Sequence, residues 1–251
     1  MRFNVSGTIT ILLVLALWES AIRLGLVTFA YLPPPSAILV AGWGLLVSGD
    51  LLFNTAHTVG AVLLGWAIAC AIGMALGAAL GFSPLLRRYS EASLELLRPL
   101  PGIAFLPVAL LIFNFSLQTE LVVMVYASVW PVLTNTMGGV MSVASRLHDV
   151  GRTLRLSRRR MLTEVLLPAA APAIVIGCRL GLGTALVMAI IAEMLGNPHG
   201  LGYAVVSELQ AMQPERMFVY VLSIGILGLV LNAVLVGLSR LMLRGHARDH
   251  A

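Results

Sequence analysis

Residues Arg146 to Pro168 read RLHDVGRTLRLSRRRMLTEVLLP and separate two long apolar runs. Arg146, Arg152, Arg155, Arg158, Arg159 and Arg160 all fall inside this stretch, six of the sixteen basic residues in the chain. Charge at that density is excluded from hydrocarbon, so the stretch is a polar loop, and its arginines assign it to the cytoplasmic side of a membrane. One large, helix-patterned loop in an otherwise apolar chain is suited to meeting a partner.

The flanking composition supports a membrane setting. Hydrophobic residues make up 59% of the 251 positions and charged residues 11%, more apolar surface than a soluble domain of this length can hide. A net charge of +5 would suggest nucleic acid in a soluble protein. Here the arginines cluster in short loops between apolar runs, where retention on the cytoplasmic side explains them and no nucleic-acid partner is expected. Cys70 and Cys178 lie in different apolar runs and read as small core residues rather than a disulfide framework.

Apolar spans are expected near residues 8–28, 55–83, 102–117, 119–143, 170–195 and 217–243. Most are long enough to cross about 30 Å of hydrocarbon as helices. The third is short and broken at its start by Pro101 and Pro107. The first run lacks a compact small-residue cleavage site and carries Glu19 and Arg23, so it reads as a retained helix rather than a signal peptide. Six spans put both termini on one side. Arg2, Arg87, Arg88, Arg98, the six loop arginines, Arg240, Arg244 and Arg248 share that side, against Arg23 and Arg216 opposite, which makes both ends cytoplasmic. The LPPPS turn at 32–36 is then an extended external connection, and a half-buried helix is expected on the outer surface between 196 and 217. Glycines at 73, 77 and 81, and at 177 and 181, recur every four residues and predict close helix packing inside one subunit.

Several chemistries are missing. A nucleotide-hydrolysing P-loop needs a lysine, and all sixteen basic residues are arginine. There is no HExxH pair, no GxSxG elbow and no His/Cys cluster at metal spacing; His57, His148, His199, His246 and His250 are scattered, so no metal or catalytic role is expected.

The spacing within the polar loop resembles the EAA motif of ATP-binding cassette (ABC) importer permeases. That motif has an acidic residue and two small ones, a glycine four positions on, and an aliphatic-x-Leu-Pro ending after nine more. Asp149, Val150 and Gly151 match its opening, and Val165, Leu167 and Pro168 its close, while Arg155 stands where the family has glycine. LRPLPGIAFLPVALLIF at 97–113, followed by Asn114 in place of a common glycine, and GCRLGLGTALVMAIIAEML with GLGY at 177–203 are similar to permeases of the nitrate, sulfonate and taurine subfamily. LPPPSAIL after the first helix fits as well.

The resemblance implies an all-α membrane protein. It would be a single ABC importer transmembrane domain over 1–251, with a core at about 55–243, six transmembrane helices and a cytoplasmic coupling helix between helices 4 and 5. It implies a multi-pass protein of the bacterial inner membrane that works as a homodimer with two ABC ATPase subunits and a periplasmic solute-binding protein, in contact with membrane lipid. The chain itself would be no enzyme and hold no cofactor, ATP and Mg residing on the partner ATPase. Asp149, Val150, Gly151, Arg152, Arg155, Leu156, Ser157 and Pro168 are the expected coupling residues. Asp149 either caps a helix or docks the ATPase, and the arginines at 158–160 either contact the ATPase or anchor on anionic lipid.

A small anion of sulfonate, taurine or nitrate type is the expected solute; the same machinery for a pyrimidine vitamin precursor is the alternative. A self-contained secondary transporter would account for the helices but not for the loop motif. Arg179, Glu193 and Asn114 are candidates for the translocation path, with Arg179 equally able to tie helices together. Arginine in place of glycine at position 155 predicts a right-handed backbone there and a continuous helix over 153–157.

Overall fold

The computed structural model describes residues 5–27, 29, 31–143 and 156–246, and among these every regular element is helical. In chain order they are α1 (Val5–Arg23), α2 (Pro35–Ser48), α3 (Asp50–Phe82), α4 (Pro84–Leu97), a 3₁₀ turn (Gly102–Phe105) leading into α5 (Leu106–Phe113), and α6 (Leu117–Met141). One turn at Arg158–Arg160 and a π-helical turn at Met161–Leu166 then run directly into α7 (Leu167–Gly196), followed by α8 (Leu201–Gln210) and α9 (Pro214–His246).

Five helices are long and apolar enough to cross a membrane: α1, α3, α6, α7 with its π-helical lead, and α9. A sixth span arises if α4 and the Gly102–Phe113 segment are taken together, although they are bent by 79°. The third expected span, 102–117, thus ends at Phe113 and starts as a tight 3₁₀ turn. Pro101 precedes that turn in extended conformation, and Pro107 occupies the first turn of α5, where a missing N–H costs nothing. Ser83 caps α4 by accepting from Leu86 N at 3.3 Å, and Pro84 follows at the first helical position, which explains the break after α3.

The prolines after α1 are extended only as far as Pro34; Pro35 opens α2, an apolar helix too short to cross that the spacing of apolar runs did not reveal. Gly49, at φ 85°, turns the chain from α2 into α3. Buried Ile38 and Leu45 of α2 pack with Leu201 and Ala204 of α8 and Val219 and Tyr220 of α9, so α2 and α8 lie at one end of the bundle. The half-buried helix expected between 196 and 217 is α8.

The centre of the bundle is α6, packed along its length on α3 and α7. A Cβ on Gly73, Gly77 or Gly81 would sit 2.7 Å from Val132 Cβ, 2.6 Å from Leu133 O and 2.8 Å from Val140 Cβ. One on Gly177 or Gly181 would sit 2.8 Å from Asn135 Cβ or 2.9 Å from Val132 Cγ2. These rows therefore seat α3 and α7 on α6 within one subunit, as the four-residue repeats predict. Cys70 and Cys178 are both free thiols, one on α3 and one on α7. At most 33% of the apolar 18-residue window of any crossing helix is buried and none of that of α1 is, so most of the apolar surface is left for lipid or another subunit.

Adjacent glycines on α6 test the packing. A Cβ on Gly139 would meet Ala173 Cβ at 2.7 Å, whereas one on Gly138 meets nothing within 4 Å. Gly139→Ala is expected to lower stability by about 1–3 kcal/mol. Gly138→Ala is expected to be neutral or to stabilise by up to about 1 kcal/mol. Thermal unfolding of the two detergent-purified variants checks this; equal midpoints would contradict the α6–α7 contact.

Candidate functional site

Three features of the bundle bear on function: the segment leading from the polar loop into α7, a groove on α6 and α7, and a buried polar cluster at the α8 end. In the first, Leu156 and Ser157 are non-helical, and Ser157 caps the next turn, its Oγ accepting from Arg160 N at 3.3 Å and its carbonyl from Met161 N at 2.8 Å. The continuous helix expected over 153–157 therefore does not take in these two residues. Asp149, Val150, Gly151, Arg152 and Arg155 lie outside the described residues. Beyond Ser157, Met161 and Leu166 are buried against Val140 and Ala170, and Pro168 sits in the first turn of α7. The π-helical turn before that proline joins the end of the polar stretch to a membrane span without an intervening loop.

The second feature is a groove of about 510 Å³ where the bent segment after α4 faces α6 and α7, lined by Arg98, Trp130, Thr134, Asn135 and Thr184 among others. Thr134, Asn135 and Thr184 donate to carbonyls of their own helices. The buried Trp130 Nε1 has no hydrogen-bond acceptor among the described residues. Tyr126, one turn from Trp130, donates to Leu97 O at 2.6 Å and holds the bend against α6.

The third feature brings together α3, α6, α7 and the turn before α8. Glu193, 1% exposed, accepts from Thr58 Oγ1 at 2.7 Å and from Gly202 N at 2.8 Å. Thr58 Oγ1 in turn accepts from Leu201 N at 2.9 Å, and Asn54 Oδ1 accepts from Gly200 N at 3.1 Å. The start of α8 thus has its first backbone donors satisfied by side chains of α3 and α7. Only glycine fits at 200, where φ is 98° and a Cβ would collide with the Glu193 carboxylate. Glu120, buried at the start of α6, accepts from Asn197 Nδ2, and its Oε1 stands 3.5 Å from His57 Nε2. Outside this core, Arg216 pairs with Glu208 at 3.3 Å and Asp50 at 3.7 Å, joining α9, α8 and α3; burial pushes the Glu208 carboxyl up against the pull of Arg216.

The three residues singled out for a path are not brought together. Arg179 is exposed and donates through Nε to Asn232 Oδ1 at 2.8 Å, tying α7 to α9. Glu193, fourteen positions further along α7, is buried in the polar cluster. Asn114 caps α5 at φ 56°, a conformation that favours glycine, and its carbonyl accepts from Thr119 Oγ1 at 2.7 Å. The groove residues and the pairing of Glu120 with His57 and Asn197 escaped sequence reading, because each group is assembled from separate helices. The one available signal was Glu120 itself, an acidic residue inside an apolar run.

Comparison with known proteins follows the same lines. The family model described as binding-protein-dependent transport system inner membrane component matches residues 67–245. The putative aliphatic sulfonates transport permease protein SsuC of Bacillus subtilis is 29% identical, covering 92% of this chain and 84% of that protein. The taurine transport system permease protein TauC of Escherichia coli is 29% identical over 96% of this chain and 88% of its own length. The nitrate import permease protein NrtB of Leptolyngbya laminosa is 29% identical over 80% and 75%. In fold, the chain is similar to a chain of the inward-facing MetNI methionine ABC transporter, with a TM-score of 0.59, 16% identity and coverage of 72% and 92% respectively.

The clamp at Thr58 predicts a local rather than a global role for its hydroxyl. Thr58→Val keeps the shape but strands the Leu201 N–H and one Glu193 oxygen, and is expected to lower stability by about 1–3 kcal/mol. Thr58→Ser should retain most of it. Thermal unfolding of both variants decides, and a Val variant as stable as wild type would remove the hydroxyl from the clamp.

Proposed function

The chain belongs to the family of binding-protein-dependent transport system inner membrane components, the permease subunits of ABC importers, and on that premise we propose that it forms the membrane path for a small sulfonate-, taurine- or nitrate-type anion, driven by a separate ATPase. The observation that carries this reading is the family match over residues 67–245, which takes in the second half of α3, the whole polar stretch of the sequence and nearly all of α9. The names of the matched relatives support the solute class.

In this reading two copies enclose the path, and two ATPases dock on their polar loops. A periplasmic binding protein delivers solute to the α8 end. The sparse burial of the spanning helices supports pairing of copies, since a path needs a second wall. The groove at Arg98, Thr134 and Asn135 is the face offered to the solute: it places a guanidinium beside hydroxyl and amide groups. Arg179, paired with Asn232, serves to join helices. Coupling runs through Asp149, Val150, Gly151, Arg152, Arg155, Leu156 and Ser157 to Pro168, because the turn capped by Ser157 continues into α7 and carries any movement of the loop directly into the bundle.

Reversing the charge that opens the motif tests the coupling. Asp149→Arg is expected to insert normally but to lose ATPase co-purification and at least about tenfold in uptake, the scale of removing one partner of a docked charge pair. Normal assembly and uptake would place Asp149 outside the interface.

Orientation is tested separately. Single cysteines at Ser48 and Gln213 should react with a membrane-impermeant reagent added to intact spheroplasts, and one at Ser157 should react only after lysis. Labelling of Ser157 from outside would reverse the proposed topology.

A further inference from the structure

We propose that His57, Glu120 and Glu193, completed by the Asn197 amide oxygen, form a binding site for one divalent transition cation of the zinc type at the α8 end of the bundle. His57 comes from α3, Glu120 from α6, Glu193 from α7 and Asn197 from its C-terminal cap, so the ion would join the ends of the three central helices.

One ligand atom from each of His57, Glu120 and Glu193 can be chosen so that all lie within 4.8 Å of one another. His57 Nε2 and Glu120 Oε1 are 3.5 Å apart. Ligands held at about 2.1 Å in a tetrahedral shell stand about 3.4 Å apart, so this pair already has the spacing of two neighbours around one ion. Asn197 Nδ2 is 3.2 Å from the same His57 nitrogen and also bonded to Glu120; an ion would replace that bond, a half-turn of the amide with a shift away from Glu120 bringing Oδ1 to the fourth position.

Charge and hydrogen bonding point the same way. Glu120 and Glu193 are 0% and 1% exposed, and among the described residues no arginine pairs with either. Two carboxylates buried in one place need compensating positive charge, and a dication supplies the matching amount while leaving His57 neutral, as a metal ligand must be. Glu193 is held by Thr58 and Gly202, yet each of its oxygens retains a free lone pair. The second Glu120 oxygen, Oε2, is buried and accepts no hydrogen bond among the described residues, an orphan acceptor beside the other three ligands.

The donor set selects the ion. An imidazole with two carboxylates and an amide suits zinc or a similar first-row cation better than magnesium, which prefers oxygen alone and keeps its water. Entry is from the His57 side: that ring is 23% exposed, and the exposed His199 ring lies 5.7 Å from it. The ligands are spread over 141 positions, from 57 to 197, so no spacing motif could announce them.

The test uses the full-length, untagged protein in detergent, stripped with chelator and equilibrated with zinc chloride or magnesium chloride. About one zinc per chain by elemental analysis after desalting is expected, with no retained magnesium, and at least a tenfold loss of zinc affinity in Glu120→Gln. Size exclusion verifies that the variant remains monodisperse. Cobalt(II) added to the wild-type protein reads the site without mutation: the strong visible bands of a four-coordinate ion are expected. Absence of retained zinc, equal zinc in wild type and a monodisperse Glu120→Gln, or a cobalt spectrum no different from buffer would each overturn the site. In those cases the two carboxylates are compensated by a proton instead.

Discussion

The close approach of α3 and α7 to the two sides of α6 is the contact on which the rest of the bundle depends. In lipid the hydrophobic effect gives helices no reason to associate, so cohesion comes from dispersion and from backbone brought near backbone. Glycines at 73, 77 and 81 on one side and at 177 and 181 on the other remove the side chains that would hold the axes apart. Everything peripheral is then arranged about this triplet: α9 and α2 share the cluster around Tyr220, and α1 adds an outer contact through Trp18 and Phe218.

Smooth glycine surfaces set distance but only weakly set sliding position. Register is set at the α8 end, where directional bonds replace shape. Glu193 and Thr58 bind each other and the first N–H groups of α8, and Asn197 reaches Glu120 across to α6. The polar groups that would be costly in hydrocarbon are thus gathered in one place and used to align three helices.

Much of this was legible from the chain. Apolar runs marked the spans and four-residue glycine repeats marked the packing seams, because each is a local pattern with a direct physical cause. What escaped was either short or assembled. Helix α2 hid because a largely apolar stretch of fourteen residues matches neither a span nor a loop. The 79° bend after α4 depends on where Tyr126 anchors Leu97 O, which proline positions alone do not specify. Glu193 is conspicuous as a charge in an apolar run, but only the fold reveals that it faces Thr58 and not Arg179. Asn114 is the converse case. A position that resembles a family glycine does take positive φ, so the backbone demand was readable even though the residue differs.

The uneven distribution of these bonds along the bundle has a mechanical result. Past Trp66, which donates to Cys178 O, no side-chain hydrogen bond joins α3, α6 and α7 toward the polar loop among the described residues. The pinned end acts as a fulcrum and the other end as a free arm. From Cys178 to Leu167 that arm is about 16 Å long, so a tilt of about 5° at the last pin carries the loop end about 1.4 Å. Force applied where Ser157 starts the helix therefore works with leverage against the apolar packing of Met161 and Leu166 on Val140 and Ala170.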